Sequence, residues 1–236
     1  MHKDHSLKQF DLDQEKIRAK VLMMAGIAEN QLYDALTAFR TGNAVKAERV
    51  IQNDRKIDHL EVEIDNDCSH LIVKWQPAAY DLRTVVATLK VITDIERIGD
   101  EAAKIARVAM TIQERSHAAL NHTEMTRVMA TYAQNLLRVA LDAFARLDKT
   151  QAHAALAKDA AIDHELKIIL RNLIVYMMED TRTISAAIDT LWVAKALERI
   201  GDHAKNIAEY VIYVVEGKDI RHMDLGPQSP VSLAKF

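Results

Sequence analysis

The 236-residue sequence has one cysteine, three prolines, six glycines and only 5% aromatic residues. The single cysteine, Cys68, excludes a disulfide framework and points to a reducing compartment. Pro227, Pro230 and Gly226 all fall in the last eleven residues, so the rest of the chain is nearly free of helix breakers. An interior proline would destabilise a helix by about 3 kcal/mol, so their scarcity favours long helices. Few aromatics beside many Ala, Leu, Ile and Val suit helix bundles better than sheets. Excess charge of one sign is also missing: 31 basic and 34 acidic residues leave −3. With no basic stripe interleaved with aromatics, nucleic-acid binding is not expected. No apolar run approaches the ~20 residues that span a bilayer, and the best candidate, 168–178, is interrupted by Arg171 and Asn172. The start, Met1-His2-Lys3-Asp4-His5, has none of the apolar run of a signal peptide. These absences predict a soluble cytoplasmic protein that could still dock on a membrane complex. Glycine-rich phosphate loops, G-x-S-x-G and H-E-x-x-H are absent too, and no nucleophile stands with its base.

What the chain does contain is a repeat. Glu96-Arg97-Ile98-Gly99-Asp100 recurs as Glu198-Arg199-Ile200-Gly201-Asp202, and Leu89, Val91, Ala102, Ile105 and Ala106 around it match Leu191, Val193, Ala204, Ile207 and Ala208. Earlier in the chain, Ala35-Leu36-Thr37-Ala38-Phe39 matches Ala140-Leu141-Asp142-Ala143-Phe144, and Ile57-Asp58-His59 matches Ile162-Asp163-His164, both at an offset of 105. By the repeated pentapeptide the offset is 102, so three residues are missing between the fifth and sixth helices. A turn absorbs such a change where a helix would not. Apolar periodicity predicts helices at 9–40, 44–75, 78–115, 123–147, 150–179 and 182–216. The expected fold is all-α, two tandem pseudo-symmetric three-helix bundles over 7–116 and 122–217. A tail, 218–236, is expected to be partly disordered.

Four acid-x-x-x-acid pairs follow from the repeat: Asp54/Asp58, Glu96/Asp100, Asp159/Asp163 and Glu198/Asp202. Residues four apart share a helix face, and like charges there repel by a few tenths of a kcal/mol. Glu96 and Asp100 also continue the apolar stripe of Leu82, Val85, Leu89 and Ile92, where an unpartnered carboxylate is costly. Facing carboxylates could bridge a hard cation, and all-oxygen ligation favours Mg²⁺, Mn²⁺, Ca²⁺ or iron over zinc. The alternative is ion pairing of Glu96 and Glu198 with Arg97, Arg199 or basic residues of other helices. Glu61 and Asp65 extend the first acidic face but become Leu166 and Leu170 in the second copy, so the two sites are unequal. Gly99 and Gly201 are expected to allow close helix approach. His59 and His164 read as surface or supporting residues, and Cys68, Met23-Met24, Met177-Met178, Trp75 and Trp192 as core.

Through the two E-R-I-G-D motifs, Pro77 with Asp81-Leu82-Arg83, and the stretch Tyr176-Met177-Met178-Glu179-Asp180-Thr181-Arg182, the sequence resembles the PhoU family in its proteobacterial form. The likeness runs over about residues 7–220. It implies a non-catalytic phosphate-transport accessory protein that represses phosphate-starvation genes. Implied partners are the ATPase subunit of the phosphate ABC transporter, the phosphate-sensing histidine kinase and a second copy in a homodimer. Membrane association would come only through those partners. Metal binding by acid-x-x-x-acid motifs occurs in some members. Two rivals stand against this reading. A ferritin-like di-iron oxidase needs paired Glu-x-x-His motifs, whereas only Glu114 with His117 fits, and its counterpart Glu216-Gly217-Lys218-Asp219 has no histidine. The other rival is a metal-free helical scaffold whose acids serve as salt-bridge partners.

Overall fold

A computed structural model describes residues 2–114 and 122–221, with side chains from 8 to 113 and from 124 to 221. Among these residues there are helices and turns and no strand. The elements are α1 (His2–Thr41), α2 (Ala44–Trp75), α3 (Ala79–Glu114), α4 (His122–Arg146), α5 (Lys149–Leu156), α6 (Asp159–Glu179), a short 3₁₀ turn (Thr181–Thr183) and α7 (Ile184–Glu216). Helices α1 to α3 form one bundle and α4 to α7 the other, as the repeat requires. None of the helices is long and apolar enough to cross a membrane. The tail beyond Arg221 and His117 lie outside the described residues.

Local chemistry repeats along with the sequence. Asn43 caps α2 by accepting from Lys46 N at 3.0 Å, and Asp148, 105 residues on, caps α5 by accepting from Thr150 N at 2.9 Å. These caps satisfy amides that the first turn of a helix leaves without partners. The three-residue difference between the copies falls in a connection, as expected. Gln76, Pro77 and Ala78 link α2 to α3, whereas Asp180 alone precedes the 3₁₀ turn leading into α7.

One expectation fails in the second copy, because segment 150–179 is not a single helix. It breaks at Ala157-Lys158, where Lys158 N donates to Ala155 O at 3.0 Å in a tight i→i−3 turn. Asp159 therefore stands in the first turn of α6, where the helix dipole favours a negative charge.

Each bundle buries a stripe of period 3.6. On α1 the stripe is Ile17, Val21, Met24, Ala28, Leu32, Ala35 and Phe39; on α7 it is Val193, Leu197, Ile200, Ala204, Ile207, Val211 and Val214. The two stripes belong to one continuous core, since α3 and α7 share the most extensive helix contact in the molecule. Two buried acids on α3 meet α7 along that contact. Asp94 Oδ1 lies 2.7 Å from His203 Nδ1 and accepts from Asn206 Nδ2 at 3.1 Å. Glu101, its side chain 3% exposed, pairs with Arg199 at 3.0 Å and Lys104 at 2.8 Å. The arginine of the second E-R-I-G-D motif thus ties the two halves together and leaves Glu198 to other partners. Arg199→Gln should lower stability in urea unfolding by about 2 kcal/mol, because Lys104 alone remains to neutralise a buried carboxylate.

The Asp81-Leu82-Arg83 stretch has a structural use. Gly217 ends α7 in the left-handed region at φ +70°, and the Arg83 guanidinium packs so close that a Cβ there would stand 3.2 Å from Nη1. A cation is favoured at that negative end of the helix dipole.

Several core expectations are corrected. Trp192 is 64% exposed; it lies on the outer face of α7, between buried Thr190 and Val193. Met23 and Met178 are exposed, while Met24 is buried and Met177 half-buried, because adjacent helical positions point about 100° apart. Trp75 does pack inward, edge-on to Phe10, with its indole N–H donating to Asp13 at 3.2 Å. Cys68 is buried, and that burial pushes its thiol up to about 12, which suits an inert core residue.

Candidate metal centre

In the first bundle the structure brings together acids from two helices. Asp54 and Asp58 on α2 face Glu96 and Asp100 on α3, close enough for each set to alter the titration of the other. Burial pushes the Asp54 carboxyl up to about 6, and the charges of Asp100 and Asp58 add to it, against a smaller opposing pull from Arg107 and Lys104. Glu96 is raised for the same reasons, burial first and then Asp100, with Glu61 and Asp58 contributing and Arg97 opposing. Glu61 therefore belongs to this group; its carboxylate accepts from Thr93 Oγ1 at 3.0 Å. Asp65 is exposed further along α2, beside Cys68.

The second bundle repeats the arrangement with one difference. Asp202 is raised by burial and then by Glu198, Asp159 and Asp163, so these four acids also share one site. Two lysines enter it, however: Lys195 donates to Glu198 at 2.6 Å and Lys205 to Asp159 at 2.7 Å. At the offset of 102 their counterparts in the first bundle are Thr93 and Ala103, neither of which carries charge. The ion-pairing alternative is thus met mainly in the second copy, by lysines. In the first copy, Arg97 makes only a loose contact with Glu96, at 3.4 Å.

Both glycines permit close approach, as expected. A Cβ at Gly201 would stand 2.7 Å from Ile162 Cδ1, and its other close neighbours are also atoms of Ile162. A Cβ at Gly99 would stand 2.8 Å from Ile57 Cδ1, but also 3.2 Å from Asp54 Oδ1 and 3.2 Å from Gln31 Oε1. Two acceptor oxygens from different helices therefore converge over Gly99.

Gln31 is the residue that sequence reasoning missed. It is 3% exposed, its Nε2 donates to Val50 O at 3.3 Å, and its buried Oε1 has no hydrogen-bond partner. A signal was present, because Gln31 continues the buried α1 positions Met24 and Ala28, and its counterpart in the second copy is Leu136. A buried carbonyl oxygen without a donor beside a raised carboxylate is what a hard cation would satisfy, so the first cluster fits such an ion. Among the described residues, no three His, Cys, Asp or Glu side chains already stand in a ligating group. His59 and His164 are exposed.

The duplicated bundles find their match in known proteins. The PhoU domain is matched twice along the chain, over residues 21–109 and 126–211. The chain belongs to the PhoU family. Among members with curated names, the Phosphate-specific transport system accessory protein PhoU homolog of Pseudomonas putida is 43% identical, covering 94% of this chain and 86% of that protein. The Phosphate-specific transport system accessory protein PhoU of Escherichia coli (strain K12) is 40% identical, covering 93% of this chain and 90% of that protein. The crystal structure of PhoU from Pseudomonas aeruginosa superimposes with a TM-score of 0.86 at 40% identity, covering 89% of this chain and 100% of that one. The family fold also holds at greater distance: the phosphate transport system regulatory protein PhoU from Streptococcus pneumoniae gives a TM-score of 0.81 at 26% identity, covering 89% of this chain and 98% of that one.

Proposed function

We propose that this protein is a cytoplasmic, non-enzymatic accessory protein of phosphate transport and a negative regulator of the phosphate-starvation response. It acts as an adaptor, holding the ATPase subunit of the phosphate ABC transporter and the sensor domain of the phosphate-sensing histidine kinase in a repressive arrangement. The observation that carries this reading is family membership over nearly the whole chain, with relatives named as accessory proteins of the phosphate-specific transport system. The surface supports a docking role. Ile184, Ile188 and Trp192 lie four residues apart on α7 and are exposed, as are Ile174, Val175 and Met178 on α6. Contiguous exposed apolar residues of this kind mark protein-interaction surfaces. Membrane association is through the partners, and a homodimer belongs to the same reading.

The acid clusters supply the second part of the proposal. A divalent or trivalent cation (Mg²⁺, Mn²⁺ or iron) is held by Asp54, Asp58, Glu96 and Asp100, with Asp159, Asp163, Glu198 and Asp202 as the corresponding set in the second bundle. A bound cation would screen the mutual repulsion of the carboxylates and fix α2 against α3. Co-purification tests the adaptor role: the tagged protein should retain the transporter ATPase and the kinase sensor domain when phosphate is plentiful. Failure to retain either, at both high and low phosphate, would overturn it.

A further inference from the structure

The internal duplication provides a control within the same molecule. Four differences between the two acid clusters point the same way, whereas Lys104 and Arg107 of the first copy, which stand where the second has Asn206 and Glu209, point the other. The first has a carbonyl oxygen at Gln31, an extra carboxylate at Glu61, and uncharged Thr93 and Ala103. At the matching positions the second has Leu136, Leu166, Lys195 and Lys205. The first copy thus gains oxygen donors and lacks the two lysines, keeping Arg97 at 3.4 Å from Glu96, while the second loses donors and carries two ammonium groups, 2.6 Å and 2.7 Å from its carboxylates.

Resting on the metal reading above, we infer that the two sites have divided their roles, and that Gln31 marks the one that takes a free cation. Its amide oxygen, from α1, joins the carboxylates of α2 and α3 as a neutral donor to a hard metal ion. The second set, which corresponds to it in sequence, is instead filled by Lys195 and Lys205 and is a metal-independent lock. The geometry of Gln31 supports this independently of the acids. The side chain is 3% exposed, and its Nε2 is engaged by Val50 O at 3.3 Å, which turns Oε1 toward Asp54. That oxygen has no donor in the protein. An unsatisfied buried carbonyl destabilises a fold by about 1–3 kcal/mol, yet here it stands where leucine occupies the other copy. Gly99 leaves open the space beneath it, whereas at Gly201 the corresponding space meets only Ile162. A hard cation takes amide and carboxylate oxygens together as ligands, whereas a lysine ammonium satisfies carboxylates without an amide oxygen.

The division predicts which substitutions exchange the two behaviours. The probe is Mn²⁺, added to the full-length protein after chelator treatment, with free Mn²⁺ counted by electron paramagnetic resonance. Wild type should show one class of tight site. Gln31→Leu, which installs the residue of the second copy, should weaken it by about tenfold or more, the usual effect of losing a supporting metal-site interaction. Its metal-free melting temperature should not fall, because an unsatisfied oxygen has been removed. Gln31→Glu, which keeps an oxygen at that place, should retain the site. Lys195→Thr with Lys205→Ala should add a second site, and Asp159→Asn with Glu198→Gln should leave the first unchanged. Mn²⁺ affinity unaltered by Gln31→Leu would overturn this inference and leave the metal reading standing. So would tight binding in wild type that vanishes on changing Asp159 and Glu198. An absence of Mn²⁺ binding in wild type and in the lysine double variant would overturn both.

Discussion

Asp54→Asn should raise the melting temperature of the metal-free protein near neutral pH while abolishing stabilisation by added Mn²⁺. The carboxyl of Asp54 titrates near 6 in the fold against 3.8 for the free group, so the fold favours the neutral form. Its contribution to stability is complete below the unfolded value and drains away as pH rises through the folded one. Glu96 and Asp202 are raised in the same direction, so they add to the same slope. The metal-free protein should therefore lose stability between about pH 4 and pH 7, and chemical denaturation at a series of pH values measures that slope. Asparagine removes the charge permanently and offers an N–H group on the side where Gln31 Oε1 lacks a donor. Because Asp54 is only half-buried, solvent screening holds the gain to about 1 kcal/mol. That corresponds to about 2–4 °C in a protein of this size. Cation binding reverses the pH trend, since protons compete for the same oxygens. Mn²⁺ affinity should fall as pH drops below about 6. An unchanged or lowered melting temperature for metal-free Asp54→Asn would sink the account of this cluster as a strained anionic site.

The two mid-helix glycines should respond differently to the same repair. Gly99→Ala and Gly201→Ala each place a methyl under 3 Å from an isoleucine Cδ1 and should each destabilise by about 1–3 kcal/mol in equilibrium unfolding. At Gly201 the obstacle is Ile162 alone, so Ile162→Val, which deletes that Cδ1, should restore most of the loss. The lost methylene and the alanine's gain in helix propensity are each worth about 1 kcal/mol and nearly offset. At Gly99, Ile57→Val removes one obstacle and leaves the methyl pressed 3.2 Å from both Asp54 Oδ1 and Gln31 Oε1. That double variant should stay destabilised and lose Mn²⁺ binding. Equal rescue in both halves would mean that the oxygens over Gly99 have no separate role.

Much of this molecule was legible as text. The repeat predicted two bundles because a duplicated apolar period must bury the same face twice. The change of offset located its own cause, since only a turn between helices absorbs three residues. The spacing of four puts the two acids of each pair on a common side of their helix. Other features were not legible. Trp192 looked like core because apolar character does not say which face of a helix is buried, and α7 turns it out to solvent between buried Thr190 and Val193. The break at Ala157-Lys158 contains no glycine or proline to announce it. Arg199 looked like the partner of Glu198, its chain neighbour, but it crosses to Glu101 in the other bundle.

By itself the sequence determined the helical class, the duplication, the family and the identity of the recurring acids. All of these depend on periodicity and spacing along one chain. Only the tertiary structure decided which acids are neutralised, because that depends on groups brought in from other helices. Lys195 and Lys205 are two of many lysines until the fold sets them 2.6 Å and 2.7 Å from Glu198 and Asp159. Gln31 is an ordinary glutamine until packing removes its water and supplies no donor for its oxygen. Burial and partnership are properties of three-dimensional neighbourhoods, and here they turn two near-identical motifs into two different sites.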